Sequence, residues 1–454
     1  MIPSFEPLDQ SVLTTLRERD PLVERYRAFF ALLDWDAIAS HLSRKHPYGP
    51  HPHPEIAYIK TFLVKIMEEK RYMTSLRLFL VEHPFLVMEL GFHLVPDTTD
   101  VYGFDSQRTL PTARWLRKKM RRLDEFVLTD LLEQTVHALQ GEIDGLGEVI
   151  SIDVKHIYAW VRENNPRENI HYRFKKENQP KGDPECRVGG KTSTNMIQAD
   201  GSKKERTEYL WGYGTGVVAA TSPVYGNIIL AEYTQTFNQT DVTYHQELYR
   251  RTVHALGVYP LHQAADAAFD AWYVYHSSAL HGGIAAIPLN THSKTSFDPD
   301  GVPRCPIGLR MHPTFSHTHT NGYQAQRYCC PLLHPKPTGT SCDHPQFIKG
   351  KGCVKDVNVE KGGQMRLLLE RSTPLYRAVY TQRTGAERIN SRAREWGIER
   401  PKVRNRRSVE KINTLTYIIL NLRTLQNARK INKALLTPKT FSCSRSGSWS
   451  LQAT

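Results

Sequence analysis

Near the C-terminal end of this chain, Tyr380, Arg383, Glu387 and Arg394 recur at offsets of three, seven and fourteen residues. At about 100° per residue of α-helix, those offsets bring the four side chains within roughly 60° of one another. A phenol, two guanidiniums and a carboxylate on one stripe cannot serve as the apolar face that seats a helix on a core. They suit a helix that holds a metal beside a phosphate. Taken alone, the stripe also fits a surface ion-pair helix, which contributes little to stability. The ends of the helix are signalled by Thr373 as N-cap, Pro374 at the first helical position and Gly397 beyond the last turn. Gly385 inside it costs about 1 kcal/mol against alanine, and its lack of a side chain admits close approach of DNA or of a strand.

The chain changes texture at residue 147. Residues 1–145 read as an all-helical domain. Ile56–Ile66, Thr74–Leu80, Trp115–Met120 and Phe126–Leu139 carry apolar residues at helical spacing. Arg114, Arg117, Lys118, Lys119, Arg121 and Arg122 cluster among them, as in a helix-turn-helix DNA reader or a solvated basic face. From residue 148, Glu-Val-Ile-Ser-Ile-Asp is a β-branched run closed by Asp153, and Tyr213–Ala220 and Gly226–Tyr233 read as further strands. The polar stretch 162–202 reads as an irregular loop. Thr236–Asp241 opens a helix that runs through Val253. Ala264-Ala265-Asp266 closes a later strand, Asp270 is placed to cap the helix that follows, and Gly283–Pro288 reads as a strand. An amphipathic stretch covers Val409–Leu425, and a Ser-rich tail, expected to be disordered, covers 441–454.

Charge adds a partner. From Arg371 to the end there are 18 Lys/Arg against 4 Asp/Glu, which accounts for the whole formal charge of +14. A basic segment beside a candidate metal carboxylate points to a polyanion, most simply nucleic acid. No run reaches the roughly 20 apolar residues of a membrane span, and the start shows no basic-then-apolar leader. Seven cysteines, an odd number, fit a reducing cytosol.

Tyr-x2-Arg-x3-Glu-x6-Lys is the helix motif of the DDE transposases of bacterial insertion sequences, and this chain resembles it, with Arg394 in place of the lysine. Thr236-Phe237-Asn238-Gln239-Thr240-Asp241 is similar to that family's Thr-x-Asn-x-x-Asp segment. Asp266-Ala267-Ala268-Phe269-Asp270 resembles its Asp-x-x-Tyr-Asp segment, with Phe269 for tyrosine. The resemblance covers residues 50–430. It implies an α/β chain with a ribonuclease-H-like catalytic core (a mixed sheet flanked by helices), split into 146–289 and 366–435. A helical DNA-binding domain precedes the core, a Cys/His-rich insertion at 290–365 interrupts it, and a tail of 436–454 follows.

In that fold the strands bearing Asp153 and Asp266 are neighbours, and the helix bearing Glu387 packs across them. The three carboxylates lie 113 and 121 residues apart in sequence, and crowded together they repel unless divalent cations join them. Oxygen ligands favour Mg²⁺, with Mn²⁺ as substitute. Two ions would clamp the attacking and leaving oxygens of a phosphoryl displacement. Tyr380, Arg383 and Arg394 would contact DNA. The implied function is cleavage at the inverted ends of an insertion sequence and strand transfer to target DNA, by a cytoplasmic, nucleoid-associated homodimer on paired ends. A nuclease without joining activity and a catalytically silent DNA-binding relic are the rivals.

Within the insertion, Cys305, Cys329, Cys330, Cys342, His344 and Cys353 fall in 49 residues, beside His312, His317, His319 and His334. Four thiolates, or three and an imidazole, would hold a structural Zn²⁺. The best quartet is Cys305, Cys330, Cys342 and Cys353. The alternative is a loop with buried free thiols.

Overall fold

The computed structural model describes residues 10–42, 53–197, 203–290 and 295–436. The N-terminal part is helical: α1 (Gln10–Glu18), α2 (Pro21–Phe30), α3 (Trp35–His41), α4 (Glu55–Met67), α5 (Met73–Val81), α6 (Pro84–Leu90), α7 (Ser106–Thr109), α8 (Ala113–Arg122) and α9 (Glu125–Gln140). Asp20, Asp34, Asp105, Thr112 and Asp124 cap five of these helices, each side chain accepting from amides of the first turn. Their apolar faces meet around Tyr26, Phe29, Phe62, Leu76, Val87 and Leu131.

A six-stranded mixed sheet follows: β1 (Val149–Tyr158), β2 (Arg187–Ile197), β3 (Lys203–Ser222), β4 (Gly226–Thr236), β5 (His262–Ala264) and β6 (Ala285–Ala286). β3 runs antiparallel to β1 on one edge; along its other edge it pairs with β4 and then β2. β5 lies parallel to β1, and β6 parallel to β5. α10 (His245–Leu256) follows a 3₁₀ turn at Asp241–Tyr244, and α11 (Trp272–Ala279) joins β5 to β6. The insertion folds as a three-stranded antiparallel sheet of β7 (His312–Thr318), β8 (Gln324–Cys329) and β9 (Val354–Asn358), with the short α12 (Pro345–Ile348). α13 (Lys361–Leu368), α14 (Pro374–Thr381), α15 (Thr384–Glu395) and α16 (Arg406–Leu436) complete the chain.

Several sequence expectations are corrected. β1 does not end at Asp153; its antiparallel register with β3 continues to Tyr158↔Gly212, so Asp153 lies in mid-strand. The stretch 162–202 is not wholly irregular, because Arg187–Ile197 pairs with β3 as a long ribbon. The strand expected over 283–288 shortens to Ala285–Ala286. The stretch Val409–Leu425 of α16 is not amphipathic. Every residue from 408 to 422 is buried, and several of its polar side chains find partners inside. Lys411 donates to Arg121 O at 2.7 Å, Asn413 to Thr215 Oγ1 at 2.7 Å, and Asn421 to Thr135 Oγ1 and Ile229 O. Hydrogen-bonded polar groups are tolerated in a core, so polarity along this helix did not mark solvent. The segment 441–454 lies outside the described residues.

Candidate functional site

The site is built on the register between β1 and α15. Ile150 and Ile152 enter the core, so Ser151 and Asp153 share the opposite face of the strand. α15 crosses that face with Ala386 and Asn390, one turn apart. The Ala386 amide donates to Ser151 Oγ at 3.2 Å, and Asn390 Nδ2 donates to Asp153 Oδ2 at 2.8 Å. Gly385 makes the approach possible, since a Cβ there would sit 2.2 Å from Thr221 Oγ1 and 3.2 Å from Ser151 Oγ. The sheet is what this glycine admits.

Asp266 lies two residues beyond β5, the parallel neighbour of β1. It accepts from the Ala268 amide at 2.9 Å and starts a 3₁₀ turn. Glu387 is exposed one turn into α15 and pairs with Arg383. Asp153, Asp266, Glu387, Asn390 and Arg394 line one open cleft, with Lys155, His156 and Lys176 on its walls. Burial raises the pKa of Asp153. The Asn390 hydrogen bond works against this rise, and the nearby Asp266 and Glu387 add to it. Asn390 was not singled out in the sequence; its signal was its position three residues after Glu387 on the same helix face. Its buried Oδ1 has no hydrogen-bond partner among the described residues. Three carboxylates and a free amide oxygen are the hard donor set that Mg²⁺ or Mn²⁺ takes. Among the described residues, no three acidic, His or Cys side chains stand close enough to hold a metal ion as they are, and Glu387 is paired with Arg383.

The polar quartet does not occupy one continuous helix. The chain breaks at Gln382–Arg383, where the amides of Gln382, Arg383 and Gly385 bond three residues back instead of four. The cause is packing. α14 lies on β5 and β6 through Tyr376 and Val379, whereas α15 crosses β1, β3 and β4. Tyr380 therefore sits in the last turn of α14, stacked on Tyr376 at 5.8 Å, and the Arg383 guanidinium stands 5.6 Å over its ring. The Thr373 and Pro374 start and the Gly397 end hold, the latter at φ +83°. Asp270 does not cap α11; it takes Arg366 bidentately at 2.7 and 2.6 Å and accepts from Tyr275 Oη and the Asn290 amide.

A second feature was not foreseen. Lys65, Arg71, Arg117 and Arg121 of the helical part face Trp160, Lys402 and Arg404 across a surface groove. Lys402 and Arg404 stand over the Trp160 ring at 5.6 and 5.1 Å, and Arg400 over Tyr158 at 4.3 Å. Arg394 lines both the acidic cleft and an adjoining hollow that contains Lys65, Arg71, Arg400 and Lys402. In the insertion, Cys305, Cys330 and Cys342 are within electrostatic reach of Cys353, and none of the four lines the acidic cleft. No helix among the described residues is long and apolar enough to cross a membrane.

No protein-family model matches the chain, and no curated protein matches it. A piggyBac transposase synaptic complex with hairpin DNA aligns over 95% of this chain and 82% of that one, at 10% identity and a TM-score of 0.29. That likeness is too slight to bear on function.

Proposed function

We propose that this chain is a DNA transposase of the DDE type, with Asp153, Asp266 and Glu387 as its acidic triad on a ribonuclease-H-like core. The observation that carries the reading is the shared cleft. Asp153 in β1, Asp266 just beyond the neighbouring β5 and Glu387 on α15, more than 110 residues apart in sequence, line one cleft, and this supports the reading. The triad would hold Mg²⁺ or Mn²⁺ once Glu387 leaves Arg383, and such ions would supply charge neutralisation and nucleophile activation for phosphodiester cleavage and strand transfer.

The chain's own residues do the rest. Asn390 orients the Asp153 carboxylate. Arg394, Lys155 and Lys176 meet phosphates at the cleft rim. The basic, aromatic-interleaved groove running from Arg394 to Arg117 and Arg121 receives the DNA that leads to the cleft, with residues 1–145 as the end-binding domain. Tyr380 holds Arg383 in place by stacking. Two DNA ends handled together call for a homodimer.

The test is cleavage of labelled DNA carrying the repeats that flank this gene, in Mg²⁺, Mn²⁺ and EDTA, beside Asp153→Asn, Asp266→Asn and Glu387→Gln. Metal-dependent cuts at the repeat ends, lost in each variant while binding persists, are expected. Binding without cleavage in any metal would leave a DNA-binding relic. Cleavage with no joined product would leave a nuclease.

A further inference from the structure

The insertion has almost no core of its own. Among the described residues its buried apolar side chains are Met311, Ala325, Leu332 and Val357, together with Cys305, Cys329 and Cys330, and none of them belongs to the apolar core of the body. A unit of this size with so little apolar burial needs a covalent or metal staple. Free thiols are what it carries: Cys305, Cys329, Cys330, Cys342 and Cys353 are all unpaired.

Three of the five are tied together through His344 and Gly352, and a fourth lies near. β8 and β9 are antiparallel with Cys329 opposite Val354, which sets Cys330 and Cys353 facing one step beyond the last pair. Gly352 lies against Cys330 so closely that a Cβ would be 2.6 Å from the Cys330 Cβ. Cys353 Sγ is 3.5 Å from His344 Nδ1, and the His344 amide donates to Cys342 Sγ at 3.4 Å. Cys305 and Cys330 each begin a tight turn, their carbonyls accepting from Gly308 and from Leu333 and His334. Cys305 and Cys342, with Cys330, lie within electrostatic reach of Cys353. Cys329, on the strand itself, points instead to Thr314 Oγ1 at 3.8 Å.

We propose that Cys305, Cys330, Cys342 and Cys353 form a structural Zn²⁺ site that supplies the insertion with the core it otherwise lacks. Four sulfur donors select Zn²⁺ over the oxygen-seeking cations of the acidic cleft. Among the described residues, no three such side chains stand close enough to hold an ion as they are, so binding requires the loops that carry the four thiols to close on it. Each thiol releases its proton to solvent as it donates a lone pair to the ion, so affinity rises with pH. His344, in contact with two of the thiols, is the positioning residue that orients Cys342 and Cys353.

The test is the metal content of the full, untagged chain purified from zinc-supplemented cells without chelator. About one Zn²⁺ per chain is expected, released when the thiols are blocked with a mercurial. Asp153→Asn and Cys329→Ser should keep it, and Cys330→Ser and Cys353→Ser should lose it. Because these last two variants could misfold, the wild-type chain reconstituted with Co²⁺ gives a second readout: sulfur-to-cobalt charge-transfer absorption with tetrahedral d–d bands. A folded chain free of zinc and without the cobalt spectrum overturns the proposal. So does zinc that disappears in Asp153→Asn or survives in Cys330→Ser and Cys353→Ser. None of these readouts depends on DNA cleavage, so the site stands or falls separately from the transposase reading.

Discussion

Asp266 and Asp270 stand four residues apart and do different work. Asp270 has a side chain 1% exposed and is spent on Arg366, Tyr275 and a backbone amide. Asp266 looks into the cleft and gives only one hydrogen bond's worth of itself to the chain. Removing one partner of a buried ion pair leaves the other uncompensated, typically at roughly 3–5 kcal/mol. Asp270→Ala is therefore expected to lower the urea midpoint sharply. Asp266→Asn, which keeps the cap, should leave the midpoint in place and abolish cleavage. An Asp270→Ala chain as stable as wild type would remove the structural role. Asn390 gives a finer reading, because its hydrogen bond opposes the rise in the Asp153 pKa. Asn390→Ala should let that pKa climb, so the acid limb of the cleavage-versus-pH profile moves to higher pH; an unshifted limb would mean the amide does not act on Asp153. Both aspartates were legible in the sequence. Their division of labour was not, because Arg366 lies 96 residues from Asp270 and Asn390 lies 237 from Asp153, distances that only the fold closes.

Helical periodicity showed that Tyr380, Arg383, Glu387 and Arg394 share a side, and hid the break between α14 and α15. A break of three-residue hydrogen bonds keeps residues near the same face while letting the axis turn, so the offsets survive the kink. The cause of the kink, two helices seated on different strands, exists only once the sheet is formed. β2 was missed for a related reason: Gly189 and Gly190 and the polar residues around them lack strand propensity, and pairing with β3 holds them extended. Gly385 was noticed for the right property, close approach. Gly385→Ala would gain about 1 kcal/mol of helix propensity. Against this, a Cβ 2.2 Å from Thr221 Oγ1 forces a shift that typically costs about 1–3 kcal/mol. The expected outcome is a net loss of stability and a displaced Glu387 with reduced cleavage. Adding Thr221→Ala, which removes the clashing oxygen, should restore both. A single variant as stable and active as wild type would mean that the contact between α15 and the sheet is loose.

At the scale of the molecule, α16 is the spine between the N-terminal helices and the sheet, and it carries a titration into the core. Glu232 on β4 accepts from Thr414 at 2.6 Å and lies beside Glu410, which Arg251 approaches at 3.6 Å. Burial, with Glu410 as a like-charged neighbour, pushes the Glu232 pKa up to about 8, and burial raises Glu410 as well. In the unfolded chain both carboxyls ionise in the ordinary glutamate range. Below that range both states hold the proton, and Glu232 adds no pH dependence. Between it and about 8, the unfolded chain has released a proton that the folded chain keeps, so stability falls as pH rises. Above about 8 the folded state releases it too, and the loss levels off. Glu232→Gln keeps the shape and the Thr414 contact without the titration. The decline in melting temperature from about pH 5 to about pH 8 should therefore be smaller in the variant than in wild type, with the two closest at the acid end. Equal slopes would place the source of any decline elsewhere. A steeper slope in the variant would mean that the Glu232 carboxylate is stabilised in the core by Arg251 and is not strained there.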